Sequence, residues 1–70
     1  MSEELYKVTV SSLEVRKQVS KSSRVYLMRD TIVKVIGKSK QYRKQMWIEV
    51  ATLAEPTVVG FVQQKYLSKI

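Results

Sequence analysis

Four cations and two aromatic rings fall within ten residues of one another: Lys38, Lys40, Arg43 and Lys44 surround Tyr42, and Trp47 follows three positions later. Ammonium and guanidinium groups neutralise phosphates, and a ring beside them offers a face for a base, a stack worth roughly 1–3 kcal/mol. Arg16, Lys17, Lys21 and Arg24 make a second basic group upstream. Tyr26, Phe61 and Tyr66 could extend an aromatic platform, although Phe61 and Tyr66 suit a core equally well. The candidate ligand-binding residues are therefore Trp47, Tyr42, Lys38, Lys40, Arg43, Lys44, Arg16, Lys17, Lys21 and Arg24. The same clusters also suit plain solvated loops, whose charges keep sheet edges from pairing.

Thirteen Lys and Arg against six Asp and Glu leave a formal charge of +7 over 70 residues. That balance favours a polyanionic partner, either nucleic acid or an acidic protein surface. The residue inventory argues against catalysis. With no Cys and no His, the chain has no thiolate, no imidazole base and no usual zinc ligand set. Glu14, Asp30, Glu49 and Glu55 are scattered and form no acid–base pair, and Asp30 in Arg29-Asp30-Thr31 reads as a turn former. Ser11, Ser12, Ser20, Ser22 and Ser23 have no histidine to activate them. We expect no enzyme activity, no cofactor, no metal site and no small-molecule substrate.

The elements that must position these residues read as strands. Leu5 to Val10 alternates, Ser11 and Ser12 bend the chain, and Leu13 to Val15 alternates again. Arg16 to Ser23 is polar apart from Val19 and reads as an exposed loop. Arg24 to Leu27 is a short strand, Arg29 and Asp30 turn, and Ile32 to Ile36 is the most β-branched run of the chain. Gly37 ends that run, so 38–44 reads as a long hairpin tip. In Met46 to Thr52, Met46, Ile48 and Val50 take the inward parity, which leaves Trp47 and Glu49 outward. Glu55 and Pro56 turn, Val58 to Val62 is a core strand, Gln63 to Tyr66 connects, and Leu67 to Ile70 closes the chain. Gly37 and Gly60 are turn or close-approach glycines.

Five or six short strands with no helical periodicity describe one all-β domain over residues 1–70, a small barrel whose closure hides its edges. Its expected core is Val8, Val10, Leu13, Val15, Val25, Leu27, Val33, Val35, Ile48, Val50, Val62 and Leu67. The acidic start at Glu3 and Glu4 fits no secretory signal, and the longest uncharged run, Pro56 to Gln64, is too short to cross a membrane. Together with the lack of cysteine, this makes the cytoplasm the expected compartment and a membrane partner unexpected.

Six pieces in order resemble the bacterial Src-homology-3 family over Val10 to Leu67: Leu13, Val15 and Arg16 as L-x-V-R; Leu27 with Arg29-Asp30-Thr31; Val33-x-Val35; Trp47-x-x-Val50; Gly60-Phe61-Val62; and Tyr66-Leu67. The resemblance implies an SH3-like five- to six-stranded barrel and a non-catalytic module whose aromatic groove grips peptides, often those of the cell wall. The chain departs from that family at three places. Lys17, Gln18 and Val19 replace a Gly-Pro pair after the arginine, Asp30 replaces a glycine, and Phe61 replaces a tryptophan. In related folds the two loops flank one groove, which here would gather eight of the thirteen cations on one face; separate patches are the other arrangement open to them.

The function expected is docking on a polyanion through the basic loops and exposed aromatics. Peptide or wall-peptide binding through an aromatic groove is the alternative, and an adaptor or inhibitor of a larger enzyme is a third.

Overall fold

The computed structural model describes residues 4–70. It is mostly β, with seven strands: β1 (Leu5–Val8), β2 (Ser12–Val15), β3 (Val25–Met28), β4 (Ile32–Tyr42), β5 (Gln45–Thr52), β6 (Val59–Gln63) and β7 (Leu67–Lys69). A 3-10 turn at Gln64–Tyr66 leads into β7. No helix is long and apolar enough to cross a membrane among the described residues.

Five strands form an antiparallel sheet in the order β6-β5-β4-β1-β7, and β2 and β3 pair separately. The two sheets meet where Arg16, just past β2, pairs with Phe61 of β6: the Arg16 N–H donates to the Phe61 carbonyl at 2.9 Å and the Phe61 N–H returns a bond at 2.6 Å. The expected closed barrel is therefore corrected to two sheets joined by one bridge. β2 and β3 form a ladder only with each other, and β3 and β7 each have one neighbour among the described residues. The turn from β3 to β4 is tied onto β1 instead, with Asp30 N–H donating to the Val8 carbonyl and Val8 N–H to that of Thr31. Asp30 holds φ 71° there, a left-handed conformation that Asp tolerates better than most residues.

Inward residues of six strands form the core: Val8, Leu13, Val15, Leu27, Val33, Ile48, Val50 and Val62. Each such side chain contributes roughly 1.5–3 kcal/mol when removed from water. Val10, Val35 and Leu67, expected inside, are half-buried and pack against this cluster. Val25, expected inside, is exposed at the start of β3, and Met46, given inward parity, is exposed near the start of β5. Val19 moves the other way, from the polar loop into a buried position.

The long hairpin tip expected over 38–44 is mostly strand. Ser39, Lys40, Gln41 and Tyr42 pair with Ile48, Trp47, Met46 and Gln45, so only Arg43 and Lys44 turn. Main-chain ladder bonds do not need apolar side chains, and a polar run at the open end of a hairpin extends as readily as an apolar one. Between Val35 and Ser39 the register shifts, with Ile36, Gly37 and Lys38 lying opposite Glu49 alone. β4, eleven residues long, serves β1 and β5 on its two edges through Ile32–Val35, and the bulge beyond separates that part from the hairpin end that pairs with β5 alone.

Gly60 sits where β6 approaches the Arg16 bridge. A Cβ there would lie 2.6 Å from Val15 Cγ1 and 2.8 Å from the Arg16 carbonyl oxygen. Gly60→Ala should therefore push the two sheets apart and destabilise the protein by about 1–3 kcal/mol, measured by urea unfolding. At Gly37 the obstacle is the Glu49 side chain, whose carboxylate can swing away, so Gly37→Ala should cost less in the same assay.

Candidate functional site

Arg16 organises the surface above β5. Its guanidinium lies 4.7 Å from the Trp47 ring centroid, Nε donates to Glu14 Oε1 at 2.9 Å, and Nη1 donates to the Val19 carbonyl at 2.7 Å. The other Glu14 oxygen accepts the Ser23 N–H at 2.8 Å. One carboxylate thus ties down both ends of the segment from Arg16 to Ser23, and a turn from Lys21 N–H to the Gln18 carbonyl tightens its middle. The expected exposed loop is a folded flap.

The flap corrects the expectation for Trp47. The indole was placed outward on parity, and it does lie on the face opposite Ile48, yet it is only 3% exposed. β5 is covered on both faces: Ile48 and Val50 enter the core, while Arg16 lies over Trp47 from the other side. Alternation reports burial only where one face meets water. Trp47 is therefore no free stacking surface.

An open cleft of about 370 Å³ lies between the flap and the end of the β4–β5 hairpin. Arg16, Ser20 and Ser22 line it from the flap, Tyr42, Arg43 and Gln45 from the hairpin, and Trp47 and Gln63 from the sheet beneath. Trp47 and Gln63 are directly opposite in the β5–β6 ladder. A second cleft, of about 540 Å³, lies on the other side of the flap, where Lys17 and Lys21 stand with Val15, Val25, Val58 and Val59. Ser22 belongs to both. Among the described residues no carboxylate lines either one.

The structure thus brings the two basic segments together, through Arg16 and Arg43 across the smaller cleft, with Tyr42 and Trp47 beside them. Lys17 and Lys21 face the larger cleft. Lys38, Lys40 and Lys44 are exposed on the hairpin and line neither, and Arg24 is exposed ahead of β3. Arg16 is engaged internally by Glu14, whereas Lys38, Lys40, Arg43 and Lys44 make no ion pair among the described residues. Tyr42 is half-buried with the Arg43 guanidinium 5.4 Å from its ring.

Gln63 and Gln45 were not singled out by sequence. A glutamine in a strand carries no signal of its own, and only the register brings Gln63 to Trp47. The flap did leave a signal: Glu14 and Arg16 share a strand parity and so a face, and Val19 is a lone apolar residue in a polar run. Together they describe a segment folded back on its own strand.

The hairpin turn is strained. Arg43 and Lys44 have φ of 50° and 66°, the I′ form that a two-residue loop prefers and that Asn-Gly fits best. Two non-glycine residues in this region each cost roughly 1 kcal/mol or more, so cations occupy positions where stability would place other residues.

Two outcomes follow. Replacing the turn by Arg43→Asn with Lys44→Gly should stabilise the protein by about 1–2 kcal/mol in thermal or urea unfolding while removing two cations from the hairpin. Arg16→Ala should uncover the chain's single Trp, so acrylamide quenching of its emission rises from the shielded range toward that of a free indole, with about 1–3 kcal/mol lost from stability. Arg16→Lys should not restore the shielding, because a point ammonium cannot stack while reaching both Glu14 and the Val19 carbonyl.

No protein-family model matches the chain, and neither a curated protein nor a solved structure matches it significantly.

Proposed function

We propose that the chain is a non-catalytic binding module of SH3-like build that docks on a polyanion, with nucleic acid as the first choice and an acidic protein surface as the second. The SH3-like reading rests on the six sequence pieces from Leu13 to Leu67 and on a strand path that curls from β7 through β6 to the β2–β3 pair, an opened form of the small barrel. The observation that carries the function is the pair of adjacent clefts, four cations in their walls and no carboxylate. The exposed hairpin cations beside them add a field that draws anions inward before contact. A formal charge of +7 supports the same reading at long range.

The second reading, peptide docking through an apolar groove, is favoured by one feature. The larger cleft joins Val25 and Val59, both about half exposed, to Val15 and Val58. Such a groove gains affinity from buried apolar area and responds little to salt.

Salt separates the two. If about four phosphates are neutralised, log affinity should fall against log salt with a slope of about −3.6 on duplex DNA or about −2.8 on a single strand. The change of Lys38, Lys40, Arg43 and Lys44 to Ser should flatten that slope, read by titration of labelled oligonucleotides at several salt concentrations. A slope near zero, or no binding at low salt to duplex, single-stranded or structured nucleic acid, rules the nucleic-acid reading out.

A further inference from the structure

Two buried polar atoms at the base of the smaller cleft have no hydrogen-bond partner: Nε1 of Trp47 and Oε1 of Gln63. One is a donor and the other an acceptor, their residues are direct cross-strand partners, and both line the cleft between the flap and the hairpin. A buried polar group left unpaired costs roughly 1–3 kcal/mol. Among the described residues the fold carries these two groups on cross-strand partners, with Trp47 97% buried (3% exposed).

We infer that this cleft is a pocket for a single unstacked nucleobase, which rests on the nucleic-acid reading above. A planar group that bridges the pair must present an acceptor to the indole N–H and, beside it, a donor to the glutamine carbonyl. The Watson–Crick edge of each nucleobase carries such a neighbouring pair, and it is free only in a single strand, loop or bulge. The opening of about 370 Å³ lies at the small end of the range for ligand sites. Its rim supplies a cation for the adjoining phosphate, the Arg43 guanidinium lying over the Tyr42 ring. Arg16 from above holds the indole in place. A peptide amide offers the same donor and acceptor but brings no anion to this carboxylate-free wall. The two unpaired groups would gain their partners as the base enters. A site built this way discriminates against ligands that lack the matching edge, since those leave the buried groups unpaired.

The test compares three probes of equal length on the full chain at low salt: a single-stranded oligonucleotide of mixed bases, an abasic oligonucleotide with the same phosphates, and a duplex. The single Trp reports occupancy of the pocket through its emission. The pocket predicts that the base-containing single strand binds about tenfold or more tighter than the abasic strand and the duplex, and alone changes the indole emission. Gln63→Leu should bring binding of the mixed-base strand about tenfold closer to that of the abasic strand, and Trp47→Phe, followed by a labelled oligonucleotide, should do the same. Gln63 is half-buried at a strand end, so its variant tests the pocket even where Trp47→Phe loosens the fold. Equal binding of all three probes with unchanged emission overturns the base pocket and leaves polyanion docking standing. No binding to any of them overturns both.

Discussion

A guanidinium lying on an indole governs the surface of this protein. Arg16 belongs to no strand and yet touches four parts of the fold: its backbone bridges β6 at Phe61, its Nε reaches Glu14 of β2, its Nη1 reaches Val19, and its plane lies over Trp47 of β5. Each contact alone is modest. A partly shielded cation–π contact contributes on the order of 1 kcal/mol, and a charge-assisted hydrogen bond contributes about twice a neutral one. Together they convert a polar eight-residue connection, Arg16 to Ser23, from a solvated loop into a flap that separates two clefts. Without the flap there would be an exposed indole and an open sheet face, and neither cleft would have walls.

The same residue shows how structure and charge are divided. Arg16 has its positive charge answered by Glu14, at 2.9 Å with both side chains about four-fifths buried (21% and 22% exposed). Its role is to position. Other cations stand on the strained hairpin and along the flap, and Arg43 is the one that joins the turn to the cleft. The seven strands beneath form a rigid platform because their centre is Val8, Val33, Val50 and Val62, each below 2% exposed, short branched residues that pack with few rotamers to choose from.

Much of this was legible in the residues. Period-two alternation located most of the strands and the valine-rich core, while Gly60, open as a turn or a close approach, is resolved as a close approach by the Arg16 bridge. What alternation could not show was the second layer of burial. Trp47 has outward parity and is covered nonetheless, by a flap whose closing contacts involve an arginine, a glutamate and a main-chain carbonyl, and none of these scores as hydrophobic. Barrel closure is hidden for a related reason: whether β2 and β3 complete a ring depends on which strand edges pair, and here their link to the larger sheet is the Arg16–Phe61 bridge, which pattern does not specify. The extension of β4 to Tyr42 was hidden because polar residues at the end of a hairpin look alike whether paired or free. At the site, the cations and Tyr42 were visible by type, while Gln63 became visible only through its register with Trp47.

The most direct measurement is the solution NMR signature of Arg16. If its guanidinium lies on the indole, the Arg16 side-chain protons are shifted upfield by the ring current and show nuclear Overhauser contacts to the Trp47 ring protons, and the Arg16 Nε proton exchanges slowly because Glu14 accepts it. Arg16 resonances at ordinary shifts, with no contact to Trp47 and fast exchange, would contradict the account, for the flap would then be open and the clefts beside it would not exist.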